Sequence, residues 1–293
     1  MDVVRSVKAN GLEFGYLEAG PADGPLALCL HGFPDSAYTW RHLMPELAAA
    51  GYHAVAPFMR GYAPTGVPED GAYQVGALAS DANALHEAFG GGSDAVIIGH
   101  DWGAATTYGA AAAEPRRWRK AVTMALPPIN SLMAGFFTYE QLKRSFYIYL
   151  FQTQLAEMAL NATFVEGLWR DWSPGYDAAE DVAHVMNSLG TPANIGAAIG
   201  YYRAMLDPSR HVERYAIEQA ATATKGERPV LYLHGAADGC LGADTFVPGG
   251  DFTGVLGELP DGSRAELVAD AGHFLQLERP DEVDRLVLEW LAT

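Results

Sequence analysis

The chain is poor in cysteine, in positive charge and in long apolar runs. Cys29 and Cys240 are the only cysteines in 293 residues, too few for a disulfide framework and without the paired spacing of a zinc site. Lysine and arginine number 19 against 36 aspartates and glutamates, giving a formal net charge of −17. The acidic residues are spread along the chain, and no basic stripe offers nucleic acid or an anionic membrane a place to sit. No stretch is long enough to span a bilayer, and Met1-Asp2-Val3-Val4-Arg5 lacks the apolar core of a leader peptide. The expectation is a soluble, cytoplasmic protein acting on a neutral small molecule, with no nucleic-acid or membrane partner and no metal or organic cofactor. Its oligomeric state is open, a homo-oligomer included.

What is present suits one large catalytic domain with a smaller insertion. Hydrophobic residues make up 49% of the chain, and a chain of this length buries roughly three quarters of its unfolded surface. Apolar runs of strand length alternate with helical segments in the first half. Leu26–Leu30, His53–Ala56, Ala95–Ile98 and Ala121–Ala125 read as strands, with helices over Trp40–Ala50, Val75–Phe89 and Ala104–Ala113 between them. Such alternation predicts an α/β fold whose mostly parallel sheet is covered on both faces. From about Pro127 to Arg214 the chain is helical and rich in aromatics. Strand signals resume at Pro229–Leu233 and Ala265–Val268, and a last helix starts with Pro280 in its first turn. The prediction is a core of residues 1–126 and 215–293, interrupted by a helical cap of residues 127–214.

Gly99-His100-Asp101-Trp102-Gly103 follows the clearest strand and opens the Ala-rich helix. This is the spacing of a nucleophile elbow, with Asp where esterases and lipases carry Ser. The elbow is a sharp strand-to-helix turn that strains its central residue and needs small neighbours in order to close. Asp101 is thereby expected above the carboxyl end of the sheet, where the positive end of the following helix would keep it ionised. A carboxylate needs no base to act as nucleophile, and its natural target is a saturated carbon bearing a leaving group. The product is an alkyl ester on the enzyme, which water must then hydrolyse.

That second step calls for a base. His273 follows the last strand signal, and the chain order nucleophile, acid, histidine fits it. A neutral imidazole takes a proton from water and later returns it. Asp238, at the end of the strand Pro229–Leu233, is the expected acid, with Asp244 as a rival. His234 inside that strand and His31 after Leu30 read as structural hydrogen bonders. The turn at His31-Gly32-Phe33-Pro34 suggests that the Phe33 and Trp102 amides form an oxyanion hole. The Gly- and Pro-containing stretch from Asp244 to Gly250 is expected near the cavity mouth.

Together these residues resemble the α/β-hydrolase-fold epoxide hydrolases. The likeness is carried by His31-Gly32-Phe33-Pro34, Met59-Arg60-Gly61-Tyr62, Gly99-His100-Asp101-Trp102-Gly103, Asp238 and Ala271-Gly272-His273-Phe274, and it covers essentially the whole chain. It implies conversion of an apolar epoxide and water to a vicinal diol, helped by two cap tyrosines that stabilise the leaving alkoxide. The segment Ser145–Gln152 resembles the one bearing the first tyrosine, which selects Tyr147 ahead of Tyr149. Tyr201-Tyr202-Arg203 resembles the second, and the tyrosine before the arginine is Tyr202.

Two other readings use the same residues. Haloalkane dehalogenases share the Asp nucleophile but hold a halide with two N–H donors, and the position that usually supplies the second is Phe33 here, which has no side-chain donor. A non-catalytic, ligand-binding member of the fold would be expected to have lost part of the set Asp101, Asp238 and His273.

Overall fold

A computed structural model describes residues 3–293. Eight strands form one sheet: β1 (Arg5–Ala9), β2 (Leu12–Ala19), β3 (Leu26–Leu30), β4 (His53–Pro57), β5 (Val96–His100), β6 (Lys120–Met124), β7 (Val230–Gly235) and β8 (Arg264–Val268), in the order β1-β2-β4-β3-β5-β6-β7-β8. From β4 to β8 every neighbouring pair is parallel, whereas β1 and β2 join antiparallel at one edge. The central strands β3, β4, β5, β6 and β7 are buried at every position. This is why they read as unbroken apolar runs rather than alternating ones: a parallel sheet is covered on both faces.

The helices are α1 (Leu43–Ala49), α2 (Val75–Ala88), α3 (Trp102–Ala113), α4 (Ile129–Phe136), α5 (Tyr139–Arg144), α6 (Phe146–Leu150), α7 (Ala156–Ala159), α8 (Ala162–Trp172), α9 (Ala179–Ser188), α10 (Pro192–Leu206), α11 (Ala216–Ala221), α12 (Ala243–Phe246), α13 (Thr253–Glu258), α14 (Leu275–Glu278) and α15 (Pro280–Ala292). Against the sheet, α2 and α3 pack on one another and on α11, while α1 packs on α15. Between β6 and β7 the described residues carry helices and no strand. None of the helices among the described residues is long and apolar enough to cross a membrane.

Two local differences from the sequence reading have physical causes. The expected helix Trp40–Ala50 is split into a 3₁₀ turn at Ala37–Trp40 and α1 from Leu43. Pro45 lacks an N–H and would clash with the carbonyl four residues back, so the helix can start only just before it. The antiparallel pair β1 and β2 has no counterpart among the strands that the sequence predicts. Its outer strand is largely exposed and carries Arg5 and Lys8, so it lacks the apolar run that marked the others.

Candidate active site

Because β3, β5, β6, β7 and β8 run parallel, the loops that follow them gather at one end of the sheet. Phe33, Asp101, Leu126, Asp238 and His273 all lie just past those strand ends. The elbow has the strain that its spacing predicts: Asp101 sits at φ 53°, ψ −116°, a conformation that costs a non-glycine residue about 1–3 kcal/mol. Its glycines are needed for space. A Cβ on Gly99 would lie 2.1 Å from the Gly103 carbonyl oxygen, and one on Gly32 would lie 2.3 Å from Asp101 Oδ1.

Asp101 is buried, and its Oδ1 accepts the Phe33 N–H at 2.8 Å. Its other oxygen, Oδ2, faces His273 Nε2 at 3.9 Å. His273 Nδ1 lies 3.0 Å from Asp238 Oδ2. Asp238 Oδ1 in turn accepts the N–H groups of Cys240 and Leu241, at 2.7 and 2.9 Å. The imidazole is thus held as the Nδ1–H tautomer, with Nε2 turned toward Asp101 and hydrogen-bonded to none of the described residues. Asp244 lies outside this arrangement. Its side chain is 62% exposed and pairs with Arg144 at 2.7 Å.

Burial sets the direction of most ionisations here. It pushes the Asp101 carboxyl above its ordinary value, outweighing His273 and the Phe33 and Trp102 amides, which pull the other way. The helix end alone therefore does not hold this carboxylate low, as the sequence had suggested. For His273 burial opposes the charge, but the Asp238 carboxylate and its hydrogen bond prevail and raise the imidazole.

The neighbouring histidines are committed elsewhere. His31 accepts the Met59 N–H at 2.9 Å and donates to Gly32 O, and burial lowers it to about 4. His100 donates to the His273 carbonyl at 2.8 Å and is held neutral by burial. His234 donates to Leu241 O and accepts the Tyr232 hydroxyl, and burial lowers it too.

Above Asp101 lies a cavity of about 210 Å³, mostly apolar, reached by Trp102, Leu126, Leu132, Phe136, Ile148 and Leu241. Tyr147 and Tyr202 both line it, their rings 5.3 Å apart at 84°. The Tyr202 hydroxyl is buried beside the Trp102 indole without a well-formed hydrogen bond to any described residue, while that of Tyr147 approaches the Cys240 thiol, at 3.8 Å, and the Tyr202 hydroxyl. Burial raises both phenols well above their ordinary value, so both remain donors. The alternatives are placed differently. Tyr149 is 40% exposed and does not reach the cavity. Tyr201 donates to the Arg60 carbonyl at 2.8 Å, and Arg60 is itself fastened to Asp81 of α2 through two 2.6 Å bonds.

The stretch from Asp244 to Gly250 does not reach this cavity. It forms α12 and a 3₁₀ turn, and Phe246 packs under α4, where a Cβ on Gly135 would come within 2.8 Å of its ring. Cys240 and Leu241, a few residues earlier, are the ones that line the cavity. Cys240 was counted in the sequence but given no place; its spacing two residues after Asp238 was the available signal.

Residues 25–280 match the model of the α/β hydrolase fold family. The chain is 32% identical to epoxide hydrolase A of Mycobacterium tuberculosis (strain ATCC 25618 / H37Rv), across 98% of this chain and 97% of that protein. Among solved structures it resembles epoxide hydrolase A from Mycobacterium thermoresistibile, with a TM-score of 0.77 and 28% identity over 99% of this chain and 98% of that one. It also resembles the Bacillus megaterium epoxide hydrolase solved with an inhibitor, with a TM-score of 0.80 and 25% identity over 99% and 100%. The protein is a hydrolase of the α/β-hydrolase fold. Within that fold it belongs to the epoxide hydrolase family.

Proposed function

We infer that the protein hydrolyses an epoxide to a vicinal diol through a covalent ester on Asp101. The observation that carries this reading is the pairing, in one apolar cavity, of a buried carboxylate with two phenol donors, one of which makes no well-formed hydrogen bond to any described residue. A halide would leave those two hydroxyls without a task, whereas a ring oxygen takes both. The relatives named epoxide hydrolase support the same reaction class.

The epoxide enters between the sheet end and the helices α4, α6 and α10, which belong to a cap of residues 127–214 set on a core of residues 1–126 and 215–293. The apolar lining suits an apolar epoxide. Tyr147 and Tyr202 donate to the ring oxygen while Asp101 Oδ2 attacks a ring carbon. The carbon–oxygen bond breaks, and the alkoxide takes a phenol proton. Oδ1, held by the Phe33 N–H, becomes the ester carbonyl oxygen. Water deprotonated by His273 Nε2 then attacks Cγ of Asp101. The Phe33 and Trp102 amides hold the tetrahedral oxyanion, and Asp238 steadies the imidazolium until it returns its proton to the departing diol oxygen, which is an oxygen of the original carboxylate. The second proton of the water passes from the Asp101 carboxyl to the phenolate, restoring both groups. No metal or organic cofactor enters these steps.

The test is product analysis with styrene oxide, 1-bromobutane and p-nitrophenyl acetate. Diol without bromide or nitrophenol is expected. Bromide without diol would move the protein to the dehalogenases and reduce Tyr147 and Tyr202 to packing residues. One turnover in ¹⁸O water should label Asp101 and leave the diol unlabelled; label in the diol alone would exclude the ester.

A further inference from the structure

The loop bearing His273 is held from the far side of the sequence, by the end of α8. Three consecutive amides are fixed there. The His273 N–H donates to the Trp172 carbonyl at 3.0 Å, and that carbonyl also takes the Gly239 N–H at 3.1 Å. The Phe274 N–H donates to Ser173 Oγ at 3.2 Å, and the Gly272 N–H to Glu278 Oε2 at 2.9 Å. Ser173 Oγ closes the ring by donating to Glu278 Oε1 at 2.5 Å. One carbonyl of α8 therefore bridges the loop after β7, which carries Asp238, to the loop after β8, which carries His273.

Both loops have given up side-chain volume to this contact. A Cβ on Gly239 would lie 2.0 Å from the Asp171 carbonyl oxygen, and one on Gly272 would lie 2.5 Å from that of Trp172 and 2.6 Å from Ser173 Cα. Ser173 is fully buried, and the Trp172 ring packs edge-on against the His273 ring at 5.1 Å. The hydrogen bonds of Ser173 and Glu278 go to each other and to the Gly272 and Phe274 amides, not to Asp101, Tyr147 or Tyr202, although the Trp172 ring also packs on the Tyr147 ring at 5.2 Å.

We propose that Ser173 and Glu278 are positioning residues for His273, fastening its backbone on both sides so that Nε2 stays aimed at the Asp101 ester. The proposal rests on the two-step reading above. Ester formation uses the carboxylate and the phenols, while ester hydrolysis alone uses the imidazole. Misplacing a reacting group by about 1 Å costs about 10²-fold, so loosening this clasp slows the second step and spares the first. Glu278→Gln keeps one acceptor for the Gly272 N–H but replaces the other by an NH2 donor, so the Ser173 hydroxyl must turn its proton away from this ring to accept it. It also removes a negative charge that, with Asp238 and Asp101, favours the imidazolium of His273. Ser173→Ala removes the acceptor for Phe274 and leaves the charge in place.

The experiment follows alkyl-enzyme formation and decay by rapid quench and intact-protein mass spectrometry, with styrene oxide, in wild type, Glu278→Gln and Ser173→Ala. Alkylation should stay within about twofold of wild type while hydrolysis falls about 10- to 100-fold and the ester accumulates. In Glu278→Gln the acid limb of the hydrolysis rate should also move to lower pH; in Ser173→Ala it should not. Hydrolysis unchanged in both variants overturns the proposal, as does an equal fall in both steps, which would mark general loss of packing. Should Glu278→Gln fail to fold, Ser173→Ala decides. A wild-type protein that forms neither ester nor diol sinks the two-step reading and this proposal with it, whereas normal wild-type turnover beside unaffected variants sinks this proposal alone.

Discussion

Replacing Tyr202 by Phe should make the protein slower and more stable at once. The hydroxyl lies in a buried, mostly apolar cavity, beside the Trp102 indole but without a well-formed hydrogen bond to any described residue, and leaving such a group unsatisfied costs about 1–3 kcal/mol. The ring itself is packed edge-on against Phe33, Trp102 and Tyr147 at 5.2, 5.2 and 5.3 Å, and Phe keeps all of those contacts. Deleting the oxygen should therefore raise stability by about 1 kcal/mol, roughly 2 °C in Tm for a chain of this size. In the alkylation step the same oxygen is one of two donors to a developing alkoxide. Losing one preorganised donor of that kind costs about 10²-fold in rate, near 2.7 kcal/mol. Single-turnover stopped-flow with styrene oxide, following tryptophan fluorescence from the Trp102 beside Asp101, measures the first quantity, and a thermal melt the second. Alkylation at the wild-type rate would remove Tyr202 from the chemistry. A fall in Tm would show that the hydroxyl has a partner in solution and would undo the energetic argument.

The other predictions concern the acids and the base. His273→Gln should form the Asp101 ester at near the wild-type rate and hold it, giving one equivalent of bound substrate and little diol; sustained diol formation would remove His273 as the base. Asp101→Asn and Asp101→Ala should form no ester detectable by intact-protein mass spectrometry. Asp238→Asn should slow ester hydrolysis by about 10²-fold or more, while Asp244→Asn, whose carboxylate meets Arg144 on the surface, should leave turnover unchanged; the reverse pattern would exchange the two. Asp284 is buried on α15, with its carboxyl raised from 3.8 to about 7 by burial and by Glu46 and Asp281. A folded-state value above the unfolded one means that the fold prefers the protonated acid, so stability present below about pH 4 is lost as pH rises toward 7. Asp284→Asn should escape this loss and lie about 2 kcal/mol above wild type at pH 8 in urea denaturation, after allowance for screening by water; equal stabilities at pH 5 and pH 8 would refute it.

Much of this site was legible because its determinants are local. The five-residue elbow forces a positive φ at Asp101 whatever surrounds it, and its glycines announce the turn. The strands that deliver Asp238 and His273 are buried on both faces or end in a buried residue, so their apolar runs mark them and the next residues mark the site. Choosing between Tyr147 and Tyr149 was harder. They stand two apart on α6, and only the rotation of that helix makes one buried and the other 40% exposed. Sequence likeness put Tyr147, the buried one, ahead of Tyr149, where periodicity over so short a helix gave no preference.

What escaped the sequence entirely depends on pairs of residues far apart in the chain. Ser173 and Glu278 are ordinary residues in ordinary settings, a helix C-terminus and the last position of a four-residue helix. Their meaning arises only when α8 is laid across the loops after β7 and β8, a contact between segments about a hundred residues apart. The glycines at 239 and 272 gave a faint hint, because a glycine beside a functional residue can mark close approach of another backbone as readily as a turn. Neither has a positive φ. That combination separates the two meanings: Gly99, Gly103, Gly239 and Gly272 are all needed for room, not for rotation, and each lies within four residues of a proposed catalytic group. In this fold the chemistry is specified by the elbow and strand-end residues, but its alignment is specified by which neighbours have been kept small enough for a second segment to press against them.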